Sequence, residues 1–337
     1  MNFDFRSRFK RLRRLMEQKG LDAVIITDPH DIFYYSGYRV QTDERPFLIT
    51  DGTDSWIGLS PLTGNVRVFA DVFFVKRMGD VAKRLKGFDC IGFDEYSMTF
   101  YFHNFFRKKK VSLKPFSIMI KKPREVKDDL EIELIRKAIK TDKKALENFD
   151  WPGKTEIQAA KSVDEIIFDS QAENAFETIV SSGRNAGNFI HHFPSGKVIA
   201  KRDLVIVDFG ARVNGYCSDI TRTFCSRPGG KERNMFETVK DIQGKILDFI
   251  IPGMKFKAVN DFYMKLMRKK RFRVLHGIGH GIGLFVHEPC DVLQKGCVIT
   301  IEPGIYMKNF GGCRIEDMIL IKKNGIKILS GSVPKEL

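Results

Sequence analysis

An Asn-Gly pair between two apolar runs constrains the fold of this chain more than any other feature. The segment DLVIVDFGARVNGYCSDITRTFC spans residues 203–225, with Asn214-Gly215 near its centre. Asn-Gly between strand-like runs is a strong indication of a two-residue hairpin turn. With the turn at this pair, Val213 faces Tyr216, and the segment is predicted to form an antiparallel hairpin.

The same register brings two aspartates together. Counting outward from the turn places Asp208 opposite Thr221, and Asp219 projects from the same face as Thr221 because it is two residues away. Asp208 and Asp219 are then diagonal neighbours, roughly 7 Å apart at the backbone. Two carboxylates in an apolar hairpin are costly unless a cation neutralises them. The alternative is a pair of solvated surface aspartates.

The length of 337 residues suggests two domains, at about 150 residues per domain. A helix is predicted over residues 7–19, ending at Gly20. Short apolar runs then alternate with helical stretches, which predicts an α/β N-terminal domain over residues 1–122. The strand-like runs lie at residues 23–27, 46–50, 66–70 and 90–93.

Residues 123–337 are predicted to form an α+β second domain. Apolar residues at helical spacing from Leu130 to Ile139 indicate a long helix. Thr155 and Gln158 have the spacing of a capping box that opens the next helix. The remaining predicted elements are strands at residues 203–210, 216–224, 297–302 and 315–322, with helices at roughly 231–250 and 257–269.

The net charge of +15 is the one compositional oddity. Such a charge can indicate nucleic-acid or anionic-membrane binding. The basic runs at 11–14, 107–110 and 268–273 are scattered along the chain, however, and no nucleic-acid motif accompanies them. Nucleic-acid binding is therefore not expected, and a solvated basic surface is the simpler interpretation.

Cysteine usage and hydropathy point to the cytoplasm. None of the six cysteines belongs to a Cys-x-x-Cys pair, so we expect reduced, mostly buried thiols. The basic N-terminus lacks the apolar core of a signal peptide. No run approaches the roughly 18 apolar residues of a membrane span. The sequence predicts a soluble cytoplasmic protein without membrane contact.

Further candidate ligands follow the hairpin. The segment HGIGHGIGLFVHE at 276–288 carries three of the seven histidines, separated by glycines. Its GxGxxG-like appearance is a weak indication of nucleotide binding, because no βαβ context follows. Glu302 and Glu316 lie within or beside apolar strands, and a buried strand glutamate needs a partner. Arg314 and Glu316 share a face, since Ile315 alternates with them.

Together these residues form a candidate metal-binding set of four carboxylates and one imidazole, namely Asp208, Asp219, His280, Glu302 and Glu316. Their charges balance two divalent cations. Oxygen-rich ligands with one imidazole suit manganese or cobalt, and zinc is possible. Two such ions could share a hydroxide and hold it as a nucleophile at neutral pH.

The sequence resembles the creatinase/prolidase-type metallopeptidase family, which includes prolidase, aminopeptidase P and methionine aminopeptidase. Residues 208–224 resemble its two-aspartate motif, and residues 276–288 resemble its histidine motif. TIEPGIY at 300–306 and GGCRIED at 311–317 resemble its two glutamate motifs. Residues 1–122 resemble the N-terminal domain of prolidase and aminopeptidase P. The fold implied for residues 123–337 is the pita-bread catalytic domain.

The resemblance also implies roles for individual residues. The five metal-ligand positions fall on the set above, with Asp219 and Glu316 as the bridging pair. His287 would steady the tetrahedral intermediate, and Glu302 would pass a proton to the leaving proline nitrogen. His191 and His276 fall on substrate-side positions, with His191 also expected to take part in catalysis and Arg314 to contribute to substrate binding, whereas His192 is expected to be incidental. Arg314 falls on the position of an arginine that supports the site.

The expected function is therefore hydrolysis of Xaa-Pro bonds, with an Xaa-Pro dipeptidase (prolidase) favoured over an aminopeptidase P that acts on longer peptides. A metal-free creatinase-like hydrolase is a further alternative, although five intact ligand positions argue against it. A non-catalytic RNA- or ribosome-binding protein on the same fold is the most remote alternative. The expected partners are proline-containing peptides and a second copy of the chain in a homodimer.

Overall fold

The structure is a computed structural model that describes residues 3–41, 43–64 and 66–335. The chain divides into two units between Arg124 and Glu125, near the boundary placed at residue 122 from the sequence. No helix within the described ranges is both long and apolar enough to cross a membrane.

The first unit contains a six-stranded mixed sheet. The strands are β1 (Ala23–Ile26), β2 (Phe47–Thr50), β3 (Ser55–Leu59), β4 (Asp71–Phe74), β5 (Ile91–Phe93) and β6 (Leu113–Pro115). Their order in the sheet is β4-β3-β2-β1-β5-β6. β2 pairs antiparallel with β1 and β3, whereas β1–β5, β5–β6 and β3–β4 are parallel. The helices are α1 (Phe5–Glu17), α2 (Pro29–Ser36), α3 (Met78–Arg84), α4 (Phe100–Lys108) and α5 (Ser117–Lys121).

The core of this unit forms where the central strands meet α3 and α4. Ile25 and Ile49 on the sheet pack in one cluster with Val81 of α3 and Phe106 of α4, and all four are fully buried. Period-two apolar strands next to amphipathic helices give this layering. The predicted α/β architecture of the N-terminal region is confirmed.

The strand predicted at residues 66–70 is wrong. The strand lies at Asp71–Phe74 and pairs in parallel with β3, a pairing that was not predicted from the sequence. The alternating apolar residues that precede this strand contribute to packing instead of joining the sheet. The ring of Phe69 stacks on Phe5 of α1 at 5.3 Å, and the Phe69 N–H donates to the carbonyl of Ser36 at 2.8 Å.

The second unit combines helices with small antiparallel sheets. Its helices are α6 (Asp129–Glu147), α7 (Glu156–Asp169), α8 (Arg184–Asn188), α9 (Gly230–Phe249) and α10 (Phe256–Lys269). The strands are β7 (Glu173–Asn174), β8 (Ile179–Ser182), β9 (Val205–Phe209), β10 (Ala211–Val213), β11 (Tyr216–Cys217), β12 (Ile220–Phe224), β13 (Val298–Ile301), β14 (Gly304–Met307), β15 (Gly311–Arg314), β16 (Asp317–Ile321) and β17 (Ile326–Ile328). The sheet orders are β11-β10-β7, β12-β9-β8, β13-β16-β17 and β14-β15.

The predicted hairpin register is confirmed. Val213 faces Tyr216 in the pair β10–β11, and Asp208 faces Thr221 in the pair β9–β12. Asn214-Gly215 takes φ values of 50° and 90°, the left-handed region that a two-residue turn of this kind requires. The hairpin therefore places Asp208 where the sequence predicted it.

A second core positions the site. α9 and α10 pack on β13 and β16 through an apolar cluster that includes Val239, Val259, Ile299 and Ile319, all fully buried. The capping box predicted at the start of α7 is confirmed, since Thr155 and Gln158 bond to each other's backbone N–H. The cysteines are free thiols, as expected.

Candidate metal centre

The candidate carboxylates are buried. The solvent-exposed fraction is 8% for Asp208, 5% for Asp219 and 2% for Glu316. The alternative of solvated surface aspartates is therefore wrong. Asp208 lies on β9, Asp219 immediately precedes β12, and Glu316 lies between β15 and β16. Glu302 follows β13 directly, with 19% of its side chain exposed. The fold brings four acidic side chains from distant segments into one buried region.

His280 completes the cluster. Its Nε2 lies 3.5 Å from Oδ2 of Asp219 and 3.8 Å from Oε1 of Glu302. Ligand atoms of Asp219, His280 and Glu316 all lie within 4.8 Å of one another. The Nδ1 atom of His280 lies 3.0 Å from the carbonyl of Gly281, which leaves Nε2 directed at the carboxylates.

The electrostatics of these acids fit a bound cation. Burial raises the pKa of Asp219 and of Glu302 well above the usual range, and neighbouring carboxylates raise it further. Among these neighbours, Glu316 has the largest effect on both groups. Burial and then Asp208 raise the pKa of Glu316 to about 7. Oδ1 of Asp208 and Oε1 of Glu316 are buried without a hydrogen-bond partner. Unpaired, mutually repelling oxygens beside one imidazole are a donor set suited to divalent ions.

The glycines of the histidine segment permit close backbone approach. Gly279 has a φ of 151°, and a side chain there would collide with the carbonyl of Thr300 on β13. His280 and Thr300 are joined by two hydrogen bonds: the Thr300 N–H donates to the His280 carbonyl at 2.8 Å, and the His280 N–H donates to the Thr300 hydroxyl at 3.2 Å. The glycine thus lets His280 lie directly against the strand that leads to Glu302.

Gln243 of α9 holds the two glutamate segments in register. Its buried amide nitrogen donates to the carbonyl of Ile301 at 3.1 Å and to the carbonyl of Ile315 at 3.0 Å. These carbonyls immediately precede Glu302 and Glu316. One side chain therefore fixes the spacing between two candidate ligands, through hydrogen bonds that no sequence pattern indicates.

Arg314 connects the candidate ligands to their surroundings. It is 1% exposed, and its Nη2 donates to Oδ2 of Asp208 at 2.6 Å. Its Nε donates to the Thr221 hydroxyl at 3.1 Å, and that hydroxyl donates to Oε2 of Glu316 at 2.8 Å. Such outer contacts orient the oxygens that face a metal. From the sequence, Thr221 is expected only to face Asp208, yet its hydroxyl connects the candidate ligand Glu316 to Arg314, which in turn holds Asp208.

Tyr306 links Arg314 to His276. Its hydroxyl accepts from Nη1 of Arg314 at 2.8 Å and lies 2.9 Å from Nε2 of His276. Burial, with a contribution from the charge of Arg314, lowers the pKa of His276 to about 4, so the imidazole is neutral at physiological pH. Tyr306 ends the TIEPGIY motif, which is the signal that could identify it, although it is not among the residues predicted to form the site.

The remaining candidate histidines lie at the mouth of the cluster. The ring of His287 lies 4.1 Å from that of His280, and the His287 side chain is exposed. Burial and then the charge of His191 lower the pKa of His287, and His191 also contributes to the lowered pKa of His276. The fold therefore brings His191, His276 and His287 within electrostatic range of one another.

Glu156 anchors the segment that carries His191. Its fully buried carboxylate accepts from the hydroxyls of Ser182 at 2.7 Å and Ser195 at 2.6 Å, and from the amide of Asn185 at 3.0 Å. It also accepts from the backbone N–H groups of both serines. Nε2 of His192, a residue expected from the sequence to be incidental, lies 3.4 Å away.

Comparison with known proteins decides the family. Residues 133–323 match metallopeptidase family M24, and residues 8–126 match the creatinase/prolidase N-terminal domain. The chain belongs to metallopeptidase family M24. The resemblance found in the sequence and the predicted combination of an α/β N-terminal domain with a catalytic domain of this family are both confirmed.

Relatives of this M24 chain match it over almost its full length. The Xaa-Pro dipeptidase of Pyrococcus furiosus is 33% identical over 346 residues, covering 96% of this chain and 98% of the relative. The prolidase structure from Pyrococcus horikoshii OT3 has a TM-score of 0.92 and 31% identity, covering 98% of this chain and 99% of that one. The X-Pro aminopeptidase from Thermotoga maritima MSB8 has a TM-score of 0.86 and 26% identity, covering 98% and 97%.

Proposed function

We propose that this M24 metallopeptidase is an Xaa-Pro dipeptidase. The observation that carries the proposal is the grouping of ligand atoms of Asp219, His280 and Glu316 within 4.8 Å of one another, with Glu302 beside His280 and unpartnered buried oxygens on Asp208 and Glu316. The similarity to the Xaa-Pro dipeptidase of Pyrococcus furiosus and to the Pyrococcus horikoshii prolidase supports the substrate class. An aminopeptidase P acting on longer peptides is the second candidate, supported by the Thermotoga maritima structure.

The residues that would hold two divalent ions are Asp208, Asp219, His280, Glu302 and Glu316. When bound, such ions polarise the scissile carbonyl and lower the pKa of a water molecule. Manganese or cobalt suits this oxygen-rich set with one imidazole, and zinc is an alternative. Charge balance supports two ions, because the four carboxylates otherwise repel one another in a buried region.

The chain's own groups would orient the peptide and move its proton. His287 is exposed at the mouth of the cluster, where its N–H can donate to the oxygen of the scissile carbonyl as negative charge develops. Glu302 lies 3.9 Å from Nδ1 of His276 and can transfer a proton to the departing proline nitrogen. His191 and His276 would contact the substrate, and Arg314 would keep Asp208 and Tyr306 in place.

Two alternatives from the sequence are disfavoured. A metal-free creatinase-like hydrolase would leave the buried carboxylates without a neutralising charge. A purely non-catalytic RNA- or ribosome-binding protein would have no need for the set of ligands that the fold brings together. A homodimer and a cytoplasmic location stay predictions, which sedimentation and subcellular fractionation would test.

The function is tested by comparing three peptides on the manganese-loaded protein: Met-Pro, Met-Pro-Ala and Met-Ala. A dipeptidase cleaves Met-Pro, cleaves Met-Pro-Ala far more slowly and leaves Met-Ala intact. Preferential cleavage of Met-Pro-Ala would favour the aminopeptidase. His280→Ala provides the inactive control, while Lys257→Ala, an exposed change on α10, should retain full activity.

A further inference from the structure

A basic groove lies between α3 and α4 of the first unit, away from the candidate metal centre in sequence. Its volume is about 820 Å³, within the range of roughly 300–1,000 Å³ typical of small-molecule sites. The run at 107–110 is one of the basic runs that look scattered in the sequence. The fold brings its last two lysines beside the cations at positions 77–86.

Every charged side chain that lines the groove is a cation: Arg77, Lys83, Lys86, Lys109 and Lys110. Arg77 has a carboxylate partner in Asp80, at 4.0 Å. Within the described ranges, the four lysines have no carboxylate oxygen within 4.0 Å, and all four are exposed. Unpaired cations crowded around one groove repel each other, and a polyanion would relieve that repulsion.

The lysines of α6 are arranged differently. On α6, Lys137 pairs with Glu133 at 2.8 Å and Lys143 pairs with Glu147 at 3.6 Å. The α6 surface also contains Lys140 and Lys144, so it is a cluster of four lysines with acidic neighbours. Among the residues that the structure describes, the lining of the groove between α3 and α4 therefore differs from the α6 surface in having no acidic side chain, and not in its number of lysines.

Aromatic rings also line the groove. Phe88, Tyr101 and Phe105 contribute to its walls, and Tyr101 is 68% exposed. Nζ of Lys109 lies 6.0 Å from the centroid of the Phe105 ring. An exposed ring next to unpaired cations suits a ligand that carries both negative charge and flat apolar faces.

We propose that this groove binds single-stranded nucleic acid. The lysines would contact phosphates, and Tyr101 would stack on an unpaired base. A duplex would hide its base faces from the ring, and an acidic peptide would supply charge without a stacking partner. A concave site also fits a chain better than a flat anionic membrane. The net charge of +15, which peptidase chemistry does not use, would attract such a polyanion.

The test uses the full-length protein and a fluorescein-labelled short oligouridylate, followed by fluorescence anisotropy from about 50 to about 200 mM salt. Replacing Lys83, Lys86, Lys109 and Lys110 by alanine should weaken binding at least about tenfold. The slope of log affinity against log salt should fall by roughly 3, at about 0.7 for each phosphate that the variant no longer neutralises. Tyr101→Ala should weaken binding about fivefold to a hundredfold, and Tyr101→Phe should retain most of it.

The matched control replaces Lys137, Lys140, Lys143 and Lys144 by alanine, which removes the same charge from α6. Apart from the loss expected from lowering the net charge by four, this variant should change the affinity for the oligouridylate by less than about twofold. Hydrolysis of Met-Pro by both quadruple variants should match the wild type, which separates this inference from the proposed peptidase function and shows that the variants fold.

Three results would overturn the proposal. The first is no binding of the oligouridylate at the lowest salt concentration. The second is an equal decrease in affinity in the groove and α6 variants, which would indicate diffuse charge attraction. The third is tighter groove-dependent binding of polyglutamate or of phosphatidylserine vesicles than of the oligouridylate, which would assign the groove to an acidic protein or a membrane.

Discussion

The hydroxyl of Tyr306 lies 2.9 Å from Nε2 of His276, and the same hydroxyl accepts a hydrogen bond from Arg314 at 2.8 Å. Arg314 in turn donates to Asp208, so a substrate-side histidine is tied to a candidate metal ligand through one phenol. The orientation of His276 therefore depends on the geometry of the metal centre.

Tyr306→Phe removes this connection while keeping the ring. Losing hydrogen bonds to a charged group costs roughly 1.5–3 kcal/mol, so kcat/KM should fall about tenfold to a hundredfold. Metal content should not change, because the ligands remain. Steady-state kinetics with Met-Pro and elemental analysis check this. The control is Tyr216→Phe, which removes a buried hydroxyl bonded to Glu131 at 3.0 Å and should lower stability without lowering kcat/KM.

Gln243→Met tests the spacing of the two glutamate segments. Methionine has a similar shape but cannot donate, so the carbonyls of Ile301 and Ile315 lose their shared partner. An unsatisfied buried group costs roughly 1–3 kcal/mol. We expect weaker metal binding as well as lower stability, measured by titration calorimetry and urea unfolding. Unchanged metal affinity with lower stability would mean that Gln243 supports the fold without positioning Glu302 and Glu316.

Glu156→Gln tests the anchor of the His191 segment. In the wild type, donors that include the N–H groups of Ser182 and Ser195 face the Glu156 carboxylate. In the variant, the glutamine NH₂ group is itself a donor and cannot accept from them. The KM for Met-Pro should rise several-fold while metal content stays constant, because the segment carries a substrate-side histidine and no ligand. Ser195→Ala, which removes a single anchor, should produce a smaller change in the same direction. An unchanged KM would leave Glu156 with a structural role alone.

Asp142 of α6 provides a test by pH. It is fully buried, and burial raises its pKa to about 7 from an ordinary value of 3.8, although it accepts from the Ala211 N–H at 2.9 Å. Folding therefore takes up a proton between these pH values. The stability that the protonated group provides is complete below about pH 4 and is lost as pH rises to about 7.

Asp142→Asn keeps an acceptor for Ala211 and does not titrate. The free energy of unfolding of the variant relative to the wild type should increase from about pH 4 to about pH 7, by at most roughly 4 kcal/mol. Urea unfolding of both chelated proteins across this range measures the difference. Parallel pH profiles for the two proteins would show that Asp142 is ionised throughout.

The predictable parts of the fold rest on local geometry. Asn214-Gly215 fixes the hairpin register because a two-residue turn leaves one pairing, and the position of Asp208 opposite Thr221 follows from it. The strand predicted at 66–70 is wrong because apolar periodicity does not distinguish residues that hydrogen-bond within a sheet from residues that only pack against another element. Phe69 uses its apolar ring against Phe5 instead.

The unpredicted parts of the site rest on contacts between distant segments. Gln243 lies 58 residues from Ile301 in sequence and 72 from Ile315, and it looks like an ordinary polar residue of a surface helix. Glu156 sits in the first turn of α7, where an acidic residue is expected for helix stability alone. Neither position has a local pattern that points to its partners, so only the tertiary structure identifies them.

Metal stoichiometry coupled to activity tests the central claim most directly. The protein is stripped with a chelator, reloaded with manganese, and assayed for bound metal and for Met-Pro hydrolysis at each step. The proposal predicts about two ions per chain at saturation, no hydrolysis by the stripped protein, and recovery that follows loading. Full hydrolysis by the stripped protein, or saturation with metal and no cleavage of any Xaa-Pro peptide, would contradict it.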